Sequence, residues 1–221
     1  MRSKAKGDIT MKFLSYLYDM YKETKQKKTY KAEMKICKEG NGPAPHLYKE
    51  ELLKDYAVKY KCSALIETGT FLGDMVASQL LNFRNIASIE ISKELYEKAV
   101  ERFKNHSWVY LYLGDSAHKL SDVIDDINKK TTVGKILFWL DGHWSAGNTG
   151  RGDKDTPVLE ELNVIFEKLE TAIILIDDAR CFINEGIFIE YPTLKELKEY
   201  VLEKKPTANI DINMDIIRIV Y

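Results

Sequence analysis

The sequence predicts a doubly wound α/β domain with a mostly parallel sheet, preceded by a basic helical extension. Three observations carry this expectation. From Ser63 onward, short apolar runs alternate with amphipathic stretches, the pattern of βαβ units buried on both faces. Polar residues, most of them acids, stand just after those runs. The chain has 221 residues, 45% of them hydrophobic, which suffices for one sizeable core with a short appendage.

The elements follow in order. Residues 1–46 read as a Lys-rich extension and linker, and residues 47–221 as the α/β domain. Within the extension, Phe13, Leu14, Leu17, Tyr18 and Tyr21 recur at helical spacing. Gly40-Asn-Gly-Pro-Ala-Pro45 is a breaker cluster. A helix is predicted from about Leu47 to Lys61, with Leu52, Leu53, Tyr56, Ala57 and Tyr60 on one face. Strands are predicted at Ala64–Glu67, Ile86–Ile91, Val109–Leu113, Ile136–Asp141 and Ile173–Asp177. Helices are predicted between them near 73–83, 93–104, 116–129 and 156–169, with starts at Ser92, Ser116 and Thr156-Pro157. The alternation then stops. A helix near Thr193–Glu203 precedes two runs, Ala208–Ile212 and Ile216–Val220, whose junction at Asn213, Met214 and Asp215 suits a closing antiparallel hairpin.

Composition narrows the function classes. The formal charge is −1, but residues 1–62 carry a net +7 and the remainder a net −8. A basic head thus precedes an acidic body. No apolar stretch is long enough to span a bilayer, the run Ala172-Ile-Ile-Leu-Ile176 being typical, and no secretory leader pattern is visible. Cys37, Cys62 and Cys181 are odd in number and lack Cys-x-x-Cys spacing, so a reducing cytoplasm is expected and packing roles for all three.

Ligands of open α/β sheets bind beyond the carboxyl ends of the strands, so the residues there are the candidate site. Glu67-Thr-Gly-Thr-Phe-Leu-Gly-Asp74 follows the first strand and opens a helix. Gly69 allows a tight turn and close backbone approach, and Gly73 allows a helix to start near the strand. The spacing is neither the Gly-x-Gly-x-x-Gly of dinucleotide folds nor a phosphate loop with its Lys. Glu90 ends the second strand, 23 residues after Glu67, where an acid can accept hydrogen bonds from both hydroxyls of a ribose. Gly114-Asp115-Ser116 ends the third: Asp115 suits an adenine amino group, and both it and Ser116 suit a helix cap.

Taken in order, Glu67-x-Gly69-x-x-x-Gly73, Glu90 and Asp115 resemble the class I S-adenosylmethionine-dependent methyltransferases over roughly residues 60–221. That resemblance implies a seven-stranded Rossmann-like sheet whose last strands are reversed. It also implies cofactor contacts from Glu67, Gly69, Thr70, Gly73, Asp74, Glu90, Asp115, Ser116 and Asp141.

Two further strand ends concern the acceptor. Phe138-Trp-Leu-Asp-Gly-His143 and Leu175-Ile-Asp-Asp178 end neighbouring strands, which brings Asp141, Asp177 and Asp178 toward one another. Converging carboxylates repel unless a cation neutralises them, and hard oxygens suit Mg²⁺, Mn²⁺ or Ca²⁺. The pattern is similar to the macrocin O-methyltransferase-like sugar O-methyltransferases, which implies an Mg²⁺ on those three residues and a small-molecule or glycan hydroxyl as acceptor. Where that group has Asp-Gly-Asp, this chain has Asp141-Gly-His143. His143 has an imidazole suited to proton removal near neutrality, or else contacts substrate or packs a loop. The Gly-rich loop Trp144–Asp155 reads as a lid over the site or as a solvated connection.

Two other classes compete: a nucleotide-binding oxidoreductase on a related fold, and a binding module that uses the basic head on nucleic acid. The glycine spacing argues against the first. The second lacks an RNA-binding signature and the Asn/Asp-Pro-Pro-aromatic motif of nucleic-acid amine methylation, so nucleic acid is not the expected partner. The basic head is expected to cap the acceptor site or to form a homodimer contact.

Overall fold

The computed structural model describes residues 28–40, 42–130, 134–142 and 156–221. Residues 28–38 are helical (α1) and lie in the extension expected to be helical, beyond the Phe13–Tyr21 stretch that the spacing singles out. The helix predicted around Phe13–Tyr21 lies outside the described residues, as do His143 and the loop Trp144–Asp155.

After α1 come α2 (His46–Tyr60), β1 (Cys62–Thr68), α3 (Asp74–Gln79), β2 (Asn85–Glu90), α4 (Lys93–Phe103), β3 (Val109–Leu113), α5 (Ser116–Lys130) and β4 (Lys135–Leu140). The chain continues through α6 (Val158–Lys168), β5 (Ile173–Ile176), α7 (Leu194–Lys204), β6 (Asn209–Asn213) and β7 (Ile216–Val220). The seven strands form one sheet in the order β3-β2-β1-β4-β5-β7-β6. Strands β1 to β5 are parallel, and β7 pairs antiparallel with both β5 and β6. The expected doubly wound seven-stranded fold with a closing hairpin is the observed one.

Strand periodicity divides the core into two layers. On one face Ala64, Ile66, Ala87, Ile89, Phe138 and Ile174 pack against α5, α6 and α7 through Leu120, Ile124, Leu162 and Val201. On the other, Leu65, Ile86, Leu137 and Trp139 pack against α2, α3 and α4 through Leu53, Val76 and Phe103. Leu53 is fully buried, which stabilises the docking of α2 by about 1.5–3 kcal/mol. Cys37 and Ala44 join this second layer, so the end of the basic head is part of the core.

Local chemistry sets the boundaries. α3 is shorter than predicted because the chain turns at Leu80: Asn82 N–H donates to the Gln79 carbonyl, and the Trp108 indole N–H donates to that of Leu80. α7 begins at a capping box in which the Thr193 hydroxyl accepts from Glu196 N–H and the Glu196 carboxylate accepts from Thr193 N–H. Met214 and Asp215, at φ +51° and +59°, form the tight turn of the β6–β7 hairpin. Two short 3₁₀ turns, Ala179–Cys181 and Gly186–Phe188, fill the β5–α7 connection, which the sequence reading leaves irregular.

Candidate active site

The strand order places β1 and β4 at the centre of the sheet, with the chain crossing to opposite sides from them. A crevice at such a reversal is where open α/β sheets bind ligands. The acids expected at strand ends are gathered along this one edge.

The β1–α3 turn is held from two sides. Gly69 has φ +85°, and a Cβ there would lie 2.5 Å from the Asp141 carbonyl oxygen. Glycine is required because the turn touches the backbone leaving β4. Gly73, at φ +78°, abuts the Phe103 ring in the same way. Phe71 adopts φ +47°, an unusual value for an aromatic residue, and its N–H donates to Glu90 Oε2 at 2.8 Å. Glu90 Oε1 accepts from Ser92 N–H at 2.8 Å. The Glu90 carboxylate is therefore bound to the turn it faces, and each of its oxygens has a further lone pair to offer.

Glu67 is buried at 2% exposure and accepts a hydrogen bond from Ser88 Oγ. The Thr70 and Ser88 hydroxyls lie 2.6 Å apart, so Thr70, Ser88 and Glu67 form a buried chain of hydrogen bonds. Burial pushes the Glu67 carboxyl up to about 8; the Ser88 hydrogen bond opposes this, and Asp141 and Glu90 add to it. A folded-state value above the unfolded one means that the native state binds the extra proton between about pH 4.5 and 8. Glu67 thus contributes stability that is full below that window and is lost as pH rises through it, by at most ~1.4 kcal/mol per pH unit. Thermal melts of the ligand-free protein are expected to fall across this window, and Glu67→Gln to flatten the fall. A Glu67→Gln profile parallel to wild type would refute the assignment.

Two of the expected cofactor residues have structural partners here, and a third is buried. Asp74 pairs with Arg102 of α4 at 2.7 Å on the surface. Asp115 Oδ1 accepts from Ala117 N–H at 2.9 Å and so caps α5. Ser116 is the buried first residue of that helix.

At the β4 and β5 ends, Asp177 N–H donates to the Leu140 carbonyl at 3.1 Å, which sets Asp177 and Asp141 side by side. Asp178, at φ +54°, turns the chain into the first 3₁₀ turn. The sequence reading missed the residue that faces them. Lys49 of α2 donates through Nζ to Asp177 Oδ2 and lies 4.0 Å from Asp178 Oδ1. Burial disfavours the Lys49 charge, but Asp177, Asp141 and Asp178 outweigh it and hold the amine above the ordinary lysine value. Asp177 responds to burial and to Asp141, which push its carboxyl up, against Lys49, which pulls it down. Burial and Asp141 outweigh Lys49, so the Asp177 carboxyl stands above its ordinary value although the Lys49 ammonium lies against it. Arg180 donates to Asp178 Oδ1 at 2.6 Å and also to Asp215 in the hairpin turn. Two cations of the chain itself, Lys49 and Arg180, thus offset part of the cluster's charge.

This bears on the expected metal. Asp177 Oδ1 accepts from Asp178 N–H at 2.8 Å and its Oδ2 pairs with the Lys49 ammonium, so a cation of the chain already stands at this carboxylate. Among the described residues, no three His, Cys, Asp or Glu side chains are arranged to hold one. Asp141, Asp177 and Asp178 come together as expected, but as an ammonium site, and in this arrangement they do not fit a divalent ion.

The cysteines are buried and unpaired. Burial pushes the Cys62 thiol up to about 11 and that of Cys181 up to about 12, which leaves both as packing groups. His46, at the start of α2, lies 3.0 Å from Glu50 one turn on. No described helix is long and apolar enough to cross a membrane.

No protein-family model matches the chain, and no curated protein matches it in sequence. Solved structures do match in fold. A putative caffeoyl-CoA O-methyltransferase from Staphylococcus aureus aligns with a TM-score of 0.57 at 13% identity, covering 94% of this chain and 98% of its own. The O-methyltransferase TomG from Streptomyces achromogenes, solved in complex with SAM, gives 0.53 at 13% identity, over 80% and 81% of the two chains. The SAH-bound methyltransferase PaMTH1 from Podospora anserina gives 0.52 at 17% identity, over 77% and 76%. The chain has the fold of these methyltransferases.

Proposed function

We propose that the protein is an S-adenosylmethionine-dependent methyltransferase acting on an oxygen of a small-molecule or glycan acceptor. The observation that carries this reading is the continuous line of strand ends. Gly69, Glu67, Glu90 and Asp115 stand at the ends of the adjacent strands β1, β2 and β3, with Asp141, Asp177 and Asp178 beyond them on β4 and β5. The O-methyltransferases from Staphylococcus aureus and Streptomyces achromogenes, both similar in fold, support the choice of oxygen.

In this reading Glu90 holds the ribose hydroxyls with the lone pairs that the turn leaves open. Asp115 receives the adenine amino group through its second oxygen. Gly69 lets the turn lie against the backbone leaving β4, Gly73 lets α3 start against Phe103, and Thr70 fixes the turn through Ser88, which shapes the backbone that faces the cofactor. The cofactor, when bound, supplies an electrophilic methyl on a sulfonium. The chain aligns an acceptor oxygen with the methyl–sulfur axis, an orientation effect worth up to about 7–11 kcal/mol in favourable cases. The hydroxyl proton passes to a base near the β4 end. His143, two residues after Asp141, is assigned that role from its position in the sequence.

Thermal shift with S-adenosylhomocysteine, with NAD as the control, tests the reading. A rise in melting temperature with the first ligand alone is expected. Stabilisation by NAD alone would overturn it in favour of a dehydrogenase.

A further inference from the structure

The disagreement between the expected metal and the observed ion pair points to a role for α2. Lys49 is not a loosely placed surface lysine: its side chain is 14% exposed, and that of Asp177 is 1% exposed. Both sequence neighbours of Lys49 are tied to the fold. Tyr48 OH accepts from Arg218 Nη2 of β7 at 2.9 Å, and the Glu50 carbonyl accepts from Gln79 Nε2 of α3 at 3.1 Å. Leu53, one turn further on, is fully buried. The helix is thus pinned to the sheet on either side of Lys49, and the ammonium is delivered to the carboxylates by the fold. Asp178 pairs with Arg180, which the hairpin residue Asp215 holds in turn.

We propose that Lys49 is the resident cation of the acceptor site. It pairs with Asp177 beside Asp141 and Asp178, in place of a divalent ion, and offers a remaining N–H to the acceptor oxygen. The assignment deepens the methyltransferase reading and rests on it for the acceptor contact; the occupancy of the carboxylates does not. An ammonium has three donors, and Asp177 takes one of them. A further donor aimed at a hydroxyl oxygen stabilises the negative charge that develops as the proton leaves, the service a bound metal renders elsewhere.

The test is a Mn²⁺ titration of the full chain followed by electron paramagnetic resonance, with S-adenosylhomocysteine thermal shift run on the same samples. Wild type is expected to show no stoichiometric Mn²⁺ binding, with or without S-adenosylhomocysteine. Lys49→Ala vacates the carboxylates and is expected to raise Mn²⁺ affinity at least about tenfold. Adding Asp177→Asn to that variant should abolish the gain. Lys49→Gln, closer in shape, serves if the alanine variant does not fold. Stoichiometric Mn²⁺ binding by wild type that Asp177→Asn removes would overturn the proposal, as would unchanged Mn²⁺ affinity on removing the lysine. Absence of an S-adenosylhomocysteine shift would instead count against the methyltransferase reading, so the two failures are distinguishable.

Discussion

Gly69→Ala is expected to abolish S-adenosylhomocysteine binding, with a fall in affinity of at least about 100-fold. The reason lies in two coincident demands on one residue. The backbone at Gly69 is left-handed, which costs an L-residue roughly 1–2 kcal/mol. A Cβ would also stand 2.5 Å from the Asp141 carbonyl oxygen, and that neighbour is backbone and does not rotate away. The β1 and β4 ends must separate, which moves Glu67 and Asp141 relative to each other. Isothermal titration with S-adenosylhomocysteine measures the effect, and circular dichroism confirms that the sheet survives. Wild-type affinity in a folded Gly69→Ala protein would remove this turn from the cofactor site.

Glu90→Ala is expected to weaken S-adenosylhomocysteine binding by about two orders of magnitude or more. Hydrogen bonds to charged groups are worth about 1.5–3 kcal/mol each, and this carboxylate has two duties. It accepts the N–H groups of Phe71 and Ser92, and in the proposed site it also takes the ribose hydroxyls. Comparison with Glu90→Gln separates the duties. The amide retains one acceptor oxygen for the turn but presents N–H donors in place of the second. A loss in Glu90→Gln that is larger for the ligand with both ribose hydroxyls than for its 2′-deoxy analogue is the expected signature, over a shared loss from the turn N–H that meets the amide nitrogen. Equal losses for both ligands would assign Glu90 to the turn alone.

These two residues were legible because their meaning is local. A glycine two residues past an apolar run, and an acid ending the next run, announce a strand end and its turn without knowledge of packing. The hairpin was legible for the same reason, since Asp215 tolerates the left-handed conformation that its turn requires. Lys49 was not, because its partner lies 128 residues away and one lysine in a basic head looks like another. A signal was nevertheless present. Lys49 precedes Leu53 by four residues and so shares the stripe that Leu53, Tyr56, Ala57 and Tyr60 define. A charge on a buried stripe needs a partner, and the free-standing acids at the strand ends were the candidates. The carboxylates read as a group in need of a divalent ion, and the sequence does not say whether a cation comes from solution or from the chain.

The position of β7 has a consequence for how the molecule is made. Its five residues, Ile216–Val220, lie between β5 and β6, although they are synthesised after both. On the ribosome, β6 has no strand to pair with until β7 emerges, and β5 shows an open edge through the whole of that interval. Arg218, which anchors Tyr48 and with it the helix bearing Lys49, arrives with β7. The β5 side of the crevice is therefore completed by the strand of this sheet that is translated after the other six, and a nascent chain that already holds its central parallel strands still lacks that edge.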